Sequence, residues 1–149
     1  MPSRYRGHPD EIRALEVFVK LMRAGEGVSG RLSHALAEHD LTLGQLGVLE
    51  ALLHLGPMNQ RELSRKLLRS SSNVCTVLDN LEAAGLVKRE RSSEDRRVTT
   101  ISLSERGRER IEAVFPQHAA DITSLFSVLT PDEQDTLGAL CKKLGTAIV

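Results

Sequence analysis

The sequence predicts a mainly α-helical fold with one two-stranded β-hairpin, and three observations carry this prediction. Leucine-rich segments at helical spacing occupy both ends of the chain. In the middle, two short helical patterns flank a serine-rich turn, and a segment near residue 100 is rich in β-branched residues. At 149 residues, the chain has the length of one domain with a substantial core.

The first helical segment covers about residues 10 to 39. It is predicted either as one long helix or as two helices, because it is interrupted by three glycines, Gly25, Gly27 and Gly30. A second, leucine-dense helix begins after Thr42, whose side chain can cap the first turn, and it ends at Gly56. The leucine density indicates a helix of the core.

Two short helices joined by a tight turn are predicted next. Asn59 stands three residues before Glu62, a spacing at which the Asn side chain caps a helix and the Glu adds favourable charge. After a turn at residues 69–72, apolar residues recur at i, i+3, i+4 and i+7: Val74, Val77, Leu78 and Leu81. Gly85 ends this second helix. The pattern is typical of a helix-turn-helix.

A β-hairpin is predicted directly after the second of these helices. Residues 86–90 and 98–103 provide its strands, and residues 91–97 form a polar, charged tip. Residues 41–107 are therefore expected to form a winged helix-turn-helix lobe. Ser104 can cap the following helix, and the last helix begins with a capping box and a proline at its first position, formed by Thr130, Pro131 and Glu133.

Charge is unevenly distributed, although the net charge is zero. Residues 59–108 carry eleven Lys and Arg against seven Asp and Glu, and the segments before and after are net acidic. A basic centre is expected to meet phosphate, although a charge patch of this size also fits a solvated face.

Composition and motifs exclude several classes of protein. Cys75 and Cys141 are too few for a disulfide framework or a paired-cysteine zinc site, which favours a reducing cytoplasm. No signal-peptide pattern is present, and no apolar run approaches the roughly 20 residues of a membrane span, so we expect a cytoplasmic protein without a membrane partner.

We also expect no enzymatic activity, cofactor or metal. Nucleophile-elbow, phosphate-loop and His-Glu-x-x-His motifs are missing from the sequence. His34, Glu38 and His39 are possible ligands on one helix, but two histidines five residues apart share a face poorly, which favours single structural histidines. A winged helix that binds only proteins is a further alternative. It would need no arginines in its wing, so the arginines of this wing argue against it.

The second helix of the helix-turn-helix presents short polar side chains that suit a major groove about 12 Å wide. Asn73 is the first choice for a base contact, because Asn can bond adenine through two hydrogen bonds. The same serine-rich cluster can instead be an N-cap without a role in DNA binding. The candidate DNA contacts from the helices are Arg61, Ser70, Ser71, Ser72, Asn73 and Thr76.

The wing tip supplies the second group of candidates. An arginine at the end of a narrow β-ribbon can enter the minor groove, and the spacing of Asp95 and Arg97 would let the carboxylate hold the guanidinium. A solvated charged turn is the alternative, and the preceding helix-turn-helix favours DNA contact over it. The candidate residues are Arg91, Asp95, Arg96 and Arg97.

These segments together resemble the MarR family of regulators. The resemblance lies in Asn59-Gln60-Arg61-Glu62-Leu63-Ser64, in residues 79–87, and in Asp95-Arg96-Arg97 followed by residues 101–107. It implies one MarR-like unit over residues 1–149, in which residues 1–40 and 108–149 form dimerisation helices. It also implies a homodimer in which one recognition helix and one wing per subunit read each half of a palindromic promoter site in double-stranded DNA.

Family members commonly respond to small phenolic or other aromatic compounds, so the resemblance implies a repressor that such an effector, phenolic or quinone-like, releases from DNA. The candidate pocket residues, which are alternatively plain core, are Phe18, Met22, His34, Leu46 and Phe115. Some relatives sense oxidants through a cysteine near the start of the first helix, and this chain has none there. Cys75, near a helix N-terminus, is the alternative redox sensor, or a packing residue.

Overall fold

Residues 4–67 and 71–148 are described in the computed structural model, with only backbone described for Ser71 and Ser72. These residues form six helices and three short strands. In chain order they are α1 (Pro9–Ala37), α2 (Leu43–Leu55), β1 (Met58–Asn59), α3 (Gln60–Leu67), α4 (Ser71–Ala83), β2 (Val87–Arg91), β3 (Thr99–Leu103), α5 (Glu105–Phe126) and α6 (Pro131–Ile148). The contacts divide the chain into a unit that ends at Phe115 and a unit that begins at Pro116.

Helix α1 is continuous through its three glycines, so the alternative of two helices was wrong. A glycine costs about 1 kcal/mol relative to alanine in a helix, but it keeps its amide and therefore does not interrupt the backbone hydrogen bonds. Only Leu32 and Leu36, near the C-terminal end, are buried among its residues. Most of the apolar side chains earlier in the helix are exposed, including Phe18 and Met22.

Two helix starts of the first unit, those of α2 and α3, follow the predicted capping, whereas the side chains of the turn and cap predicted at residues 69–72 lie outside the description. The Thr42 hydroxyl accepts a hydrogen bond from the Gln45 amide (3.1 Å), and the Thr42 amide donates to the Gln45 side chain (2.9 Å). In the same way, the Asn59 side chain accepts a hydrogen bond from the Glu62 amide (2.8 Å), and the Asn59 amide donates to the Glu62 carboxylate (3.1 Å). Helix α2 ends at Gly56, whose φ of +81° is readily adopted by glycine.

The core of the first unit lies between the helices and one face of the sheet. Val48, Leu49 and Leu63 are almost completely inaccessible to solvent. The apolar face of α4 completes the core, because Val74, Leu78 and Leu81 are equally buried. This packing fixes which side of α4 points outward.

The sheet has three strands in the order β1-β3-β2, with antiparallel pairing throughout. The two-stranded hairpin was predicted correctly, and its central pair is Arg89 with Ile101. The third strand was missed: Met58 and Asn59 pair with Ile101 and Thr100. This short strand joins the start of α3 to the base of the wing.

The wing is attached to α5 by a close junction. The Ser104 hydroxyl donates to the Gly85 carbonyl (2.6 Å) and accepts from the Gly107 amide (3.0 Å), which confirms Ser104 as the cap. The Ser104 amide donates to the Leu86 carbonyl (3.1 Å), and Gly107 is buried against the same carbonyl. Gly107 therefore lets the first turn of α5 approach the backbone of the chain segment that enters β2.

In the second unit, α6 begins with the predicted capping box. The Thr130 amide donates to the Glu133 carboxylate (3.0 Å), the Glu133 amide donates to the Thr130 hydroxyl (3.2 Å), and Pro131 is the first helical residue. Leu137, Leu140, Leu144 and Ile148 form an exposed apolar stripe along α6. Within residues 4–67 and 71–148, no helix combines the length and apolar character that a bilayer span requires.

Candidate nucleic-acid interface

Helix α4 presents an outward face that carries Asn73 and Thr76. Burial of Val74 and Leu78 orients the helix, and Asn73 and Thr76, three residues apart, are both exposed. Ser70 lies outside the described residues, and Ser71 and Ser72 are described only as helical backbone. The polar side of α4 that carries these two residues is thus exposed to solvent.

Arg61 extends from the first turn of α3, where its side chain is exposed. The helix is held by buried Leu63 and Ser64, and the Ser64 hydroxyl donates to the Gln60 carbonyl within the helix (2.9 Å). Arg61 therefore projects from a helix that packs on the core, and its side chain is exposed to solvent.

The wing tip is an ordered turn. The Ser92 hydroxyl accepts hydrogen bonds from the amides of Glu94 (3.2 Å) and Asp95 (3.3 Å). Main-chain bonds close the loop, from the Ser92 amide to the Val98 carbonyl (2.9 Å) and from the Val98 amide to the Asp95 carbonyl (3.0 Å). These contacts hold the residues of the tip at fixed positions.

Asp95 binds Arg97 through three hydrogen bonds, as the sequence spacing suggested. Its Oδ1 accepts from the Arg97 amide (3.0 Å) and Nε (3.1 Å), and its Oδ2 accepts from one terminal nitrogen (3.3 Å). The side-chain and backbone bonds from Arg97 lower the pKa of the Asp95 carboxyl, so it stays ionised at neutral pH. The Arg97 side chain is 91% exposed. An oriented cation therefore stands at the end of the wing.

Arg91 and Arg96 are exposed near this pair. Arg91 ends β2, and Arg96 lies between Asp95 and Arg97 in the tip. The wing therefore carries three exposed guanidinium groups. Such a group of cations suits a phosphate backbone or the electronegative minor groove.

Arg89 was not among the residues predicted from the sequence. Its side chain is only 21% exposed, and its guanidinium bonds to Asp79 Oδ1 (2.6 Å) and the Cys75 carbonyl (3.3 Å) on α4 and lies 3.8 Å from Glu82 Oε1. One signal could have revealed it: the side chains of Val87, Arg89 and Arg91 share one face of β2, so an arginine next to buried Val87 requires acidic partners.

The candidate pocket residues lie at separate places in the fold. Phe18, Met22 and His34 are exposed on α1, and Phe18 and His34 are about 24 Å apart along the helix axis. Leu46 is buried in α2. Phe115 is half-buried against the core, with its ring edge-to-face to His54 at a centroid distance of 5.6 Å. The assignment of these residues to an effector pocket stays a prediction.

A surface groove of about 400 Å³ opens between α2 and α3. Its lining is Gly47, Glu50, Ala51, His54, Leu55, Lys66 and Leu67.

Of the two cysteines, Cys75 is half-buried on α4 and Cys141 is exposed on α6. Cys75 is therefore partly accessible on the helix that carries Asn73 and Thr76.

Comparison with known proteins identifies the family. Residues 39–98 match the model of the MarR family. The chain is also 36% identical over 133 residues to YkoM of Bacillus subtilis, an HTH-type transcriptional regulator, covering 89% of this chain and 86% of that protein. The chain belongs to the MarR family. It is accordingly a DNA-binding transcriptional regulator.

Solved structures of MarR-family regulators share the fold. AbsC from Streptomyces coelicolor, a MarR family transcriptional regulator, matches with a TM-score of 0.85 and 23% identity, over 97% of this chain and 98% of AbsC. BpsR of Bordetella bronchiseptica matches with a TM-score of 0.80 and 25% identity, over 87% of this chain and 98% of BpsR. The latter structure describes how 6-hydroxynicotinic acid regulates DNA binding by BpsR. The recognition of the family and the winged-helix fold class from sequence are confirmed.

Proposed function

We propose that two copies of this chain bind palindromic promoter DNA, each inserting α4 into the major groove and its wing into the minor groove, and that binding represses transcription. The Asp95–Arg97 pair carries the proposal, because an exposed arginine side chain held by its own turn is oriented before DNA arrives. The outward position of Asn73 and Thr76 on α4 fits base contact in the major groove.

Replacing Arg97 by alanine is expected to weaken binding to a palindromic duplex by about tenfold at fixed salt. It should also make the slope of the logarithm of the association constant against the logarithm of the salt concentration less steep by about 0.9. The reason is that one phosphate contact or its equivalent is lost. Asp95→Ala should weaken binding less, since it frees the guanidinium without removing it. Fluorescence anisotropy with a duplex selected from random DNA by the wild-type protein measures both effects.

The matched control is Arg13→Ala. Arg13 forms an exposed ion pair with Asp10 at 2.8 Å on α1, so the control removes the same side chain from the same kind of pair. Its affinity and salt slope should equal those of the wild type. An Arg97→Ala variant that also binds like the wild type would remove the wing from the interface.

The proposed dimer rests on the exposed apolar residues of α1 and α6. On α1, Leu15, Phe18 and Met22 are at least two-fifths exposed, and on α6 Leu140 is 59% exposed. Apolar stripes of this kind are characteristic of surfaces that another chain covers. A twofold dimer would also match the symmetry of a palindromic site.

For the effector, we propose a small phenolic or quinone-like ligand that releases the DNA. Support comes from BpsR, whose DNA binding responds to 6-hydroxynicotinic acid, an aromatic compound. A second candidate is thiol sensing by Cys75, which is favoured by its partial exposure on α4.

Phenol, catechol, quinone and hydroxynicotinate probes should separate these mechanisms in the wild type and in Cys75→Ser. A reversible ligand is expected to release DNA and raise the melting temperature equally in both proteins, and dialysis should restore binding. If Cys75 is a thiol sensor, the Cys75→Ser variant should no longer respond. The wild-type protein should then regain DNA binding when a reductant is added. No release by any probe would contradict the aromatic effector.

A further inference from the structure

Arg89 connects the wing to the DNA-facing helix. From β2 its guanidinium reaches across to α4, where one terminal nitrogen bonds to Asp79 Oδ1 (2.6 Å) and the other to the Cys75 carbonyl (3.3 Å). Glu82 lies at 3.8 Å from the first nitrogen. The first and last contact points, Cys75 and Glu82, are seven residues apart in sequence, or about 10 Å along the helix.

These contacts lie beside the outward face of α4. Asp79 follows Thr76 by three residues, which places the two side chains about 60° apart around the helix axis. The strip formed by Cys75, Asp79 and Glu82 therefore lies between the buried face of the helix and the face that carries Asn73 and Thr76. A shift of α4 away from Arg89 would move that outward face with it.

We propose that Arg89 is a positioning residue for DNA binding: it fixes α4 relative to the wing and neutralises the carboxylates of Asp79 and Glu82, without contacting DNA. This inference rests on the proposed use of α4 and the wing as the two DNA-reading elements.

Two observations separate Arg89 from the wing arginines that we expect at the DNA. Its side chain is 21% exposed, whereas that of Arg97 is 91% exposed. Both of its terminal nitrogens bond to α4, and its buried Nε has no hydrogen-bond partner among the described residues. The two terminal nitrogens of Arg89 are thus engaged with α4, and its side chain is largely covered.

Electrostatics gives the contact a second effect on DNA binding. Asp79 and Glu82 are 60% and 47% exposed, so without a partner their charges would repel phosphate near the recognition face. The guanidinium of Arg89 offsets this repulsion from the protein side. Asp79 should therefore couple energetically to Arg89 in DNA binding.

The test is a double-mutant cycle on affinity for the selected duplex, using Arg89→Met, Asp79→Ala and the double variant. Arg89→Met should weaken binding by about tenfold in the wild-type background and by clearly less in the Asp79→Ala background. Its salt slope should fall by clearly less than the value of about 0.9 expected for a lost phosphate contact, since only the repulsion from Asp79 and Glu82 changes. Arg91→Met, two residues along the same face of β2, is the control in which the slope should fall.

Additive effects in the cycle would overturn the inference. A salt slope that falls by about 0.9 in Arg89→Met would also overturn it, because such a fall indicates direct phosphate contact. If Arg89→Met does not fold, Asp79→Ala decides alone: we expect weaker binding, although a negative charge has been removed. Tighter binding would overturn the inference. If Arg97→Ala weakens binding and Arg89→Met does not, only this inference fails; if neither does, the proposed DNA interface fails.

Discussion

Replacing Gly107 by alanine is expected to lower the free energy of unfolding by about 2 kcal/mol. Inside a helix this change usually stabilises, by up to about 1 kcal/mol. Here an added Cβ would collide with the Leu86 carbonyl oxygen and stand 2.9 Å from its carbonyl carbon. The Leu86 carbonyl also accepts the Ser104 amide, so it cannot withdraw without breaking the junction between the wing and α5. Urea denaturation measures the loss.

The control for Gly107 is Gly27→Ala in α1. A Cβ added at Gly27 would meet no other part of the described chain within 4 Å beyond its own helix turn. Gly27 also lies nine residues after Phe18, which places it on the side of α1 opposite to Phe18 and the exposed apolar face. That variant should be as stable as the wild type or more stable. An unchanged or higher stability of Gly107→Ala would show that the junction yields easily.

Replacing Leu140 by glutamate is expected to weaken dimerisation by at least about a hundredfold. Leu140 is 59% exposed within one chain, in the apolar stripe of α6. In the proposed dimer it is buried, and an unpaired carboxylate buried there costs several kcal/mol, once in each subunit. Light scattering at micromolar concentration should report a monomer. The affinity for the palindromic duplex should fall as well, because a monomer binds each half-site separately.

Lys142→Glu is the matched control, since it introduces the same carboxylate on α6 at a position about 160° around the helix from Leu140. This variant should remain a dimer and bind the duplex with little change. A monomeric wild-type protein, or a Leu140→Glu variant that remains dimeric, would contradict an interface through the stripe of α6.

Elements determined by neighbouring residues could be predicted from the sequence. The caps at Thr42, Asn59 and Thr130 depend on a partner three residues ahead, so a short motif contains the full interaction. The Asp95–Arg97 pair is equally local, and its geometry is the expected one. The buried face of α4 followed from helical periodicity.

Features determined by distant residues were missed. Strand β1 has only two residues, and Met58 pairs with Ile101, so no local periodicity marks it. Arg89 meets Asp79 and Cys75 across the turn between α4 and β2, and its position next to buried Val87 indicates a need for acidic partners but not which residues supply them. At the site, the sequence therefore indicated the wing tip and the outward residues of α4 but not the contact that joins them.

Selection of bound sequences from random double-stranded DNA decides whether two copies of this chain read DNA symmetrically. We expect enrichment of a palindrome whose half-sites are about one helical turn apart, because the twofold axis of the proposed dimer relates two recognition helices. Enrichment of a single asymmetric half-site, or no enrichment above the starting pool, would contradict it.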